Sequence, residues 1–447
     1  METPPPASPS SLPAAERPVT GLLLTGGGAR AGYQIGVLQA VARIAQECGA
    51  PCGRGGASPF QVITGTSAGA INAAALACRN DRFDHAVADL LDVWSQFHAE
   101  QVYRADSLSM IRSGAPWLTM MSFGWALARF RRLRPRSLLD NGPLEALLQR
   151  LVPFERLPRL MDSGCLRALA VTASSYTSGQ HVTFYESTHE LAPWSRSQRL
   201  AVRSRIGVRH LLASSAIPFV FPAMPLDLEQ GHEWFGDGSM RQAAPISPAV
   251  HLGSERILVI GAGRMHEPED RQVPGNGYPS VAQIAGHALS NIFLDALAVD
   301  VERLQRINAT LSLLPPEARA RTPLRPIEAL VIAPTQRLDD LAGRHIDSLP
   351  RTVRTLLRAV GVSGEGAAGS GGVARGSALA SYLLFESGYT QELIRLGLAD
   401  TLARADEVRR FFGWGLPTLP GVTASPTAAW SAGQDRSLSD PAPADLR

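Results

Sequence analysis

Two short, uncharged apolar strands, each followed by a small-residue turn and a helical pattern, constrain this fold more than any other sequence feature. Gly21 to Thr25 (GLLLT) runs into three glycines, and Phe60 to Thr64 (FQVIT) runs into the turn before an Ala-rich helix at Ala68 to Cys78. Between these strands, apolar residues recur at the three- and four-residue spacing of a helix. The alternation of strand and helix predicts an α/β fold with a mainly parallel sheet and crossover helices.

The rest of the chain extends this pattern and adds helices. The first seventeen residues, rich in Pro, Ser and Ala, read as a disordered leader; Ser363 to Gly372 reads as a flexible loop, and Pro417 to Arg447 as a disordered tail. Further elements are predicted as strands at Ala168 to Ala173, Arg256 to Gly261 and Ala329 to Ile332, and as helices at His85 to His98, Val281 to Asn308 and Leu379 to Leu398.

Composition narrows the class of protein. With 447 residues, 45% of them hydrophobic and 19% charged, the chain can bury a large core and is not intrinsically disordered. A net charge of +3 is too small to indicate a nucleic-acid partner, and none is expected. Four cysteines in so long a chain form no disulfide framework, and Cys48 and Cys52 are expected to be free thiols.

No targeting segment is visible in the sequence. Met1 to Arg17 lacks the apolar region of a secretion signal. The uncharged stretch Gly55 to Cys78 is long enough to span a bilayer, but its polar residues and glycines favour a buried strand, turn and helix. We therefore expect no transmembrane helix and a cytoplasmic protein, with peripheral contact at the inner membrane surface.

One apolar segment suggests how such a protein would reach a membrane. Ser113 to Ala128 is uncharged and carries Trp117 and Trp125, and an arginine cluster at Arg129 to Arg136 follows it directly. Sixteen residues are too few to span a bilayer comfortably, but they suit a lid or a surface segment that dips into the acyl boundary. The arginines would then meet anionic head groups. The alternative is a helix packed on the core with a solvated basic end.

The turn Gly65-Thr66-Ser67-Ala68-Gly69 is a G-x-S-x-G between a predicted strand and a predicted helix. A nucleophile elbow requires that context, because its two glycines allow a tight turn that leaves the serine at a helix N-terminus. The pattern predicts Ser67 as a nucleophile, with Gly65 and Gly69 forming the elbow. The alternative is a small-residue turn that only closes strand to helix.

A glycine loop, Gly26, Gly27 and Gly28, follows the first strand and is followed closely by Arg30. Backbone N–H groups in such a run can point at an anion. A dinucleotide pyrophosphate is disfavoured, because Ala31 occupies the last glycine position of G-x-G-x-x-G. The loop instead predicts an oxyanion site for acyl transfer on Ser67. Arg30 either orients this loop through a hydrogen bond or ion pair, or is an ordinary exposed arginine.

The third candidate is Asp237, in the sequence Gly236-Asp237-Gly238-Ser239. A carboxylate between two glycines can approach another backbone closely, which suits an acceptor for the Ser67 proton. Because aspartate is a weak base, that proton would move late, in concert with attack on the carbonyl. Asp237 is the predicted proton acceptor and Gly238 the turn residue; an Asx-type turn is the alternative.

The order of glycine loop, G-x-S-x-G elbow and Asp-Gly turn resembles the patatin-like phospholipase family over roughly Leu22 to Gly253. Gly32 to Leu38 (GYQIGVL) and Ala213 to Pro218 (ASSAIP) are similar to its bacterial members. The resemblance implies a three-layer α/β/α fold with a mainly parallel central sheet. It also implies a Ser–Asp dyad, Ser67 and Asp237, that hydrolyses lipid acyl esters beside the Gly26 to Gly28 oxyanion loop without metal or other cofactor.

On this resemblance, a catalytic domain at 19–254 follows a leader at 1–18. A C-terminal α/β continuation and mostly helical extension covers 255–415, and a disordered tail covers 416–447. Three residues depart from the family pattern. Ala31 replaces the usual Gly after the Arg, with little expected effect. Ser239 replaces a second Gly after the Asp and is expected to alter the turn or add a hydroxyl. Ala243 replaces a common Asn and removes a polar support.

Other interpretations stay open. An α/β-hydrolase would pair the elbow with a His, but none of the downstream histidines sits in a turn that suggests catalysis: His251, His266, His287 and His345. An acyltransferase would pass the acyl group from Ser67 to an alcohol or thiol, and a lipid-binding protein would have lost turnover. No residue cluster has a metal-ligand spacing. The sequence favours a lipid acyl hydrolase of the phospholipase A, lysophospholipase or esterase type.

Overall fold

A central β-sheet organises the computed structural model, which describes residues 18–104, 137–191, 194–229, 231–265, 280–291, 296–359, 361–362 and 376–415. Within those ranges the sheet has ten strands, in the order β10-β9-β1-β2-β3-β4-β6-β5, and β8 pairs with β3 and β7 beside that path. The strands are β1 Thr20–Leu24, β2 Val62–Thr66, β3 Ala168–Ser175, β4 His181–Ser187, β5 Ser195–Arg196, β6 Arg199–Arg203, β7 Met224–Leu228, β8 Gly231–Asp237, β9 Arg256–Ile260 and β10 Glu328–Ile332.

Strand direction determines which chain segments meet. Strands β10, β9, β1, β2 and β3 are all parallel, so the predicted mainly parallel sheet is confirmed. Leu24 pairs with Gly65, which places the turns after β1 and β2 at the same edge of the sheet. Strand β8 runs antiparallel to β3 and pairs Asp237 with Ala173 near the carboxyl end of β3. The two turns and Asp237 therefore come from one end of the sheet.

Helices cover both faces of the sheet, because alternate strand residues point to opposite sides. Leu22 and Leu24 belong to the large apolar core on one face, whereas Leu23 packs with Leu297 and Val301 on the other. The described α-helices are α1 Gly32–Glu47, α2 Ala68–Ala77, α3 Phe83–Ser95, α4 Gly142–Leu151, α5 Leu157–Asp162, α6 Val208–Ser214, α7 Ser247–His251, α8 Val281–Ser290, α9 Ala296–Leu313, α10 Pro316–Ala320, α11 Leu338–Gly343, α12 Arg351–Ala359, α13 Ser377–Leu383, α14 Ser387–Ala403 and α15 Ala405–Phe412.

The segment after residue 254 builds onto the same sheet and the same core. Strands β9 and β10 extend the sheet beyond β1. Helix α14 lies against α1 with small residues between them: a side chain at Gly36 would overlap the backbone of Ile394, and one at Gly397 would overlap that of Tyr33. The C-terminal helices therefore pack directly on the helix that follows the glycine loop.

Most predicted elements lie within a few residues of their predicted places, but the single helix predicted at Leu379 to Leu398 is wrong. Helix α13 ends at Leu383 and α14 begins at Ser387. The break is tertiary in origin: Phe385 packs on Phe97 and Tyr103, and the Glu386 carboxylate accepts the Ala99 N–H. The helix predicted at Val281 to Asn308 is described as α8 and α9, and 292–295 between them lie outside the described residues.

Several predicted segments lie outside the described residues: Met1 to Arg17, Ser113 to Ala128 with Trp117 and Trp125, Arg129 to Arg136, Ser363 to Gly372 and Pro417 to Arg447. All four cysteines lie inside the described ranges and are free, as predicted for Cys48 and Cys52. None of the helices in those ranges combines the length and the apolar character needed to cross a bilayer.

Candidate active site

Ser67 occupies a strained turn between β2 and α2. Its backbone has φ 54° and ψ −129°, a conformation that a non-glycine residue adopts rarely and that is common at functional sites. The Ser67 N–H donates to Ser214 Oγ at 2.8 Å, and that hydroxyl donates to the Thr172 carbonyl at 2.6 Å. Ser214 therefore fixes the turn to β3.

Gly69 makes the elbow possible by close approach rather than by an unusual dihedral angle. A Cβ at this position would overlap the carbonyl oxygens of Leu24 and Thr25 at the end of β1. A Cβ at Gly65 would likewise overlap the backbone of Gly69 and Ala70. The first turn of α2 thus packs directly on the strand that leads into the glycine loop.

The structure brings Ser67 and Asp237 together. Ser67 Oγ lies 2.6 Å from Asp237 Oδ2, and Asp237 Oδ1 accepts the Ser239 N–H at 2.9 Å. The Asp237 N–H donates to the Ala216 carbonyl at 2.9 Å. Both side chains are buried. Hydrogen bonds from Ser67 and from the Ser239 N–H fix the two carboxylate oxygens, and the bond from the Asp237 N–H to Ala216 fixes its backbone. The pair has the geometry of a nucleophile hydrogen-bonded to its base.

Burial changes the acid–base chemistry of Asp237. It raises the pKa of this carboxyl to about 6, against the opposing effect of the hydrogen bonds from Ser67 and Ser239. A higher pKa makes the carboxylate a stronger base than an exposed aspartate, closer to what a proton acceptor needs near neutral pH. The environment therefore offsets part of the weakness expected of aspartate in this role.

The glycine loop approaches the same site from β1. Gly28 has φ +56°, and a Cβ there would overlap the carbonyl group of Tyr382 in α13. Only glycine fits both constraints without strain. Gly28 and Ser67 line one pocket, so the loop and the nucleophile face the same space. That arrangement is compatible with backbone donors near a carbonyl oxygen bound to Ser67.

Arg30 points away from that pocket into the C-terminal helices. It is 2% exposed, forms an ion pair with Asp339, donates from Nε to Ser381 Oγ at 2.8 Å, and lies 4.0 Å from the Tyr382 ring centroid. An ordinary exposed arginine is therefore the wrong interpretation. A substrate-binding role for Arg30 remains a prediction.

An apolar pocket opens beside Ser67, with an empty volume of about 540 Å³ including its mouth. Trp94 and Phe97 stack in its wall with ring centroids 5.0 Å apart. The Ser215 hydroxyl in the lining donates to the Leu211 carbonyl of its own helix. The remaining lining residues are Gly28, Ala68, Ile71, Val93, Val102, Leu144, Leu147, Leu151, Ile217, Phe221 and Phe385. Such a lining accommodates a hydrocarbon chain.

Two of the histidines downstream of Asp237 have partners elsewhere in the structure. His251 stacks on Trp194 at 4.7 Å, and His345 Nε2 lies 2.7 Å from Glu392. His287 lies in α8, and His266 falls outside the described residues. Sequence reasoning missed His181, which shares Ser174 as a strand partner with Gly236 and is buried. Burial lowers the pKa of His181 to about 4, so it is neutral at pH 7.

The sequence also does not identify two polar side chains that support the elbow through hydrogen bonds to its backbone or to Thr66. Ser214 lies in the ASSAIP motif, whose sequence alone gives no indication that this hydroxyl accepts the Ser67 N–H. Gln242 Nε2 donates to Thr66 Oγ1 at 2.8 Å, so a polar side chain supports the elbow one residue before Ala243. Among the residues that the structure describes, no three His, Cys, Asp or Glu side chains converge as metal ligands would.

Comparison with known proteins adds the following findings. The sequence model of the patatin-like phospholipase family matches residues 22–250, more than half of the chain. No curated protein matches in sequence. Among solved structures, human GIVD cytosolic phospholipase A2 is 11% identical over 90% of this chain and 61% of its own, with a TM-score of 0.42.

Two bacterial structures are also similar. VipD from Legionella pneumophila is 14% identical over 85% of this chain and 67% of its own, with a TM-score of 0.26. The type III effector protein ExoU is 15% identical over 88% of both chains, with a TM-score of 0.24. This chain therefore spans less than two thirds of the human enzyme and a larger share of the two bacterial proteins.

Proposed function

The chain belongs to the patatin-like phospholipase family, and we propose that it hydrolyses fatty-acyl esters of lipids through an acyl-serine on Ser67. The observation that carries this proposal is the 2.6 Å contact between Ser67 Oγ and Asp237 Oδ2 in a site shared with an apolar pocket. A nucleophile, a base with a raised pKa and a place for an acyl chain are the minimum set for such chemistry.

The reaction has two halves. Ser67 Oγ attacks the ester carbonyl carbon as its proton passes to Asp237 Oδ2, and the carbonyl oxygen becomes an oxyanion. Backbone N–H groups of the loop at Gly26, Gly27 and Gly28 stabilise that charge. The intermediate collapses, and the leaving alcohol takes the proton from Asp237. Water then attacks the acyl-serine, Asp237 accepts its proton and returns it to Ser67 Oγ, and the fatty acid is released.

The pocket supports the choice of a lipid acyl group as substrate. Its lining offers contact to a hydrocarbon chain but no charged side chain for a polar head group. Phospholipase A, lysophospholipase and esterase activities all leave the head group outside such a pocket. Product analysis with matched phospholipid, lysophospholipid and neutral ester substrates separates them, and an added alcohol acceptor detects acyl transfer.

We further propose that the enzyme is cytoplasmic and reaches lipid through peripheral contact by Trp117, Trp125 and the arginines between Arg129 and Arg136. This proposal is based on the sequence of the segment, with its uncharged apolar composition and adjoining arginines. Binding to anionic vesicles should weaken as salt increases, because screening acts on the arginine contacts. Replacing both tryptophans by Ala should reduce activity on vesicles far more than on a water-soluble ester.

The decisive test of the proposed function is Ser67→Ala. Turnover of a chromogenic fatty-acyl ester and covalent labelling by a fluorophosphonate should both disappear, because no nucleophile remains. Ser215→Ala is the matched control, since that hydroxyl lies in the same pocket but bonds within its own helix. Retained turnover in a folded Ser67→Ala protein would reject the assignment.

Replacing the histidines distinguishes the dyad from a triad. Ala at His181, His251, His266, His287 or His345 should leave the rate within a few-fold of wild type if Asp237 alone accepts the proton. His181 is the most informative of these positions because its buried ring lies within hydrogen-bonding reach of the Gly238 backbone, one residue after Asp237. A folded histidine variant that loses as much activity as Ser67→Ala would favour an α/β-hydrolase mechanism.

A further inference from the structure

A buried chain of side-chain hydrogen bonds connects the pocket wall to the end of β1. Trp94 Nε1 donates to Asn72 Oδ1 at 2.9 Å, and Asn72 Nδ2 donates to Gln34 Oε1 at 2.9 Å. Gln34 Nε2 then donates to the Thr25 carbonyl at 2.7 Å. Trp94 lines the pocket, and Thr25 is the residue immediately before Gly26.

The groups at the two ends of this hydrogen-bonded series determine which atom of each amide donates and which accepts. The indole N–H can only donate, so Asn72 must present its oxygen to Trp94 and its amide nitrogen to Gln34. The Thr25 carbonyl can only accept, so Gln34 must present its nitrogen to Thr25 and its oxygen to Asn72. The two amides therefore have one consistent orientation.

The location of these amides is unusual for groups that only stabilise a core. Gln34 and Asn72 are both 0% exposed and lie among mostly apolar, buried residues of α1 and α2. A buried amide is costly unless it is hydrogen-bonded, and apolar side chains of similar shape would pack there at no such cost. A satisfied polar network in this position specifies a geometry.

The geometry it specifies is that of the glycine loop relative to the nucleophile. Asn72 lies on α2, five residues after Ser67, and its Nδ2 also lies 3.4 Å from the Ala31 carbonyl. The Thr25 and Ala31 carbonyls flank the loop on its two sides. The network thus ties both ends of the loop to the helix that begins after Ser67.

We propose that Gln34, Asn72 and Trp94 are positioning residues that hold the glycine loop in register with Ser67. The inference rests on the proposed function, because the loop is assigned there as the oxyanion site. None of the three residues takes part in bond making or breaking. Their contribution is to keep backbone donors within reach of the charge that develops on the substrate oxygen.

The first experiment separates kcat from KM on a short chromogenic ester with the full chain. Gln34→Met removes both polar atoms at similar length, and Trp94→Phe removes the indole N–H together with one of the two fused rings and keeps an aromatic side chain in the wall. We expect kcat to fall about 10- to 100-fold for Gln34→Met and less for Trp94→Phe, with KM within about twofold. Losses confined to KM would overturn the proposal.

Phe97→Leu is the matched control for the pocket. Phe97 stacks on Trp94 but makes none of the hydrogen bonds of the network. Its replacement should change KM and leave kcat nearly unchanged. In the double variant Gln34→Met with Trp94→Phe, kcat should be no lower than in Gln34→Met alone, since one network is broken twice. Losses that multiply would mean independent roles and would overturn the proposal.

A readout without turnover separates this inference from the proposed function. Amide hydrogen exchange in the peptide covering 25–31 should be faster in Gln34→Met and in Trp94→Phe, and unchanged in Phe97→Leu. If the wild-type chain hydrolyses no ester, the proposed function fails and exchange still tests the network. Unchanged exchange of the loop in both network variants would overturn the positioning role.

Discussion

Of the two turns that meet at the site, only the glycine loop is also supported by the C-terminal part of the chain. The elbow around Ser67 is supported by Ser214, Thr172 and Gln242, all inside the region that matches the family. The glycine loop, besides its hydrogen bonds to Gln34 and Asn72, is bounded by residues of the C-terminal helices, where Arg30 meets Asp339 and Gly28 lies against Tyr382. Residues 22–250 alone therefore lack the contacts that Asp339 and Tyr382 make with Arg30 and Gly28.

The chemistry of the two supports differs as well. Neutral hydroxyl, amide and carbonyl groups hold the elbow, whereas an ion pair between the buried Arg30 and the partly buried Asp339 anchors the chain two residues after the loop. Loss of one partner in a neutral buried hydrogen bond costs about 1–3 kcal/mol. Loss of one partner in a buried ion pair costs about 3–5 kcal/mol, because the remaining charge is stranded. Substitutions at the glycine loop should therefore cost more stability than those at the elbow, and their cost should depend on a stranded charge.

The largest expected effect on activity is at the base. Asp237→Asn keeps a group that can accept the Ser239 N–H and donate toward Ser67 Oγ, but it cannot take up the serine proton. We expect kcat to fall about 10³- to 10⁴-fold, measured on a chromogenic fatty-acyl ester. A loss of less than tenfold in the folded variant would remove Asp237 from the mechanism.

The same substitution should stabilise the protein above pH 6. Because the folded pKa of about 6 lies above the ordinary value of 3.8, the folded state favours the protonated carboxyl. Its stabilising contribution is present below about pH 4 and is lost as pH rises through 6. Asn stays neutral, so Asp237→Asn should gain up to about 3 kcal/mol at pH 8 and little at pH 4. Denaturant unfolding at both pH values measures this difference.

The next largest effect should come from the ion pair beside the glycine loop. Asp339→Asn leaves the buried Arg30 guanidinium with Ser381 and the Tyr382 ring but without its counter-charge. We expect a loss of about 2–4 kcal/mol in the free energy of unfolding. Urea unfolding followed by fluorescence and by circular dichroism measures this loss. Different transitions for the two probes would show that only part of the protein is destabilised.

Two variants control for that result. Glu47→Gln breaks the exposed pair between Arg43 and Glu47, whose side chains are 59% and 44% exposed, and a longer contact of Glu47 with Arg409 at 3.5 Å. It should cost less than about 1 kcal/mol. Adding Arg30→Met to Asp339→Asn removes the stranded charge and should recover part of the lost stability. If Asp339→Asn costs no more than Glu47→Gln, the contrast between the two turns fails.

Ser214→Ala tests the elbow with a smaller expected effect. It removes the hydroxyl that joins the Ser67 N–H to the Thr172 carbonyl and should cost about 1–3 kcal/mol. We expect kcat to fall by about tenfold as the strained Ser67 backbone relaxes. Ser215→Ala, one residue away, should change neither quantity appreciably. Equal effects of the two substitutions would show that the hydroxyl of Ser214 has no special role.

Local sequence signals predicted the parts of the molecule whose causes are local. Apolar runs predict β1 and β2, and flanking glycines predict Ser67 and Asp237 as site residues. These two residues are 170 positions apart and hydrogen-bonded. The Arg30–Ser381 bond spans 351 residues, and no local signal at Arg30 identifies that partner. The break between α13 and α14 has no local signal either, because neither Gly nor Pro lies between Leu383 and Ser387 and tertiary contacts of Phe385 and Glu386 produce it.

The smallest expected effect is the dependence of activity on pH near neutrality. With Asp237 as the proposed proton acceptor, we expect its ionised form to be active, so kcat/KM should reach half its maximum near pH 6 and fall about tenfold per pH unit below that. Tyr176 contributes nothing in this range, because burial and the Asp237 charge raise its pKa. His181, with its pKa lowered to about 4, stays neutral above pH 5.

An ordinary histidine also titrates near pH 6.5, so the inflection alone does not identify the group. His181→Gln should leave the midpoint unchanged if Asp237 titrates, and loss of the inflection in that variant would assign it to the imidazole.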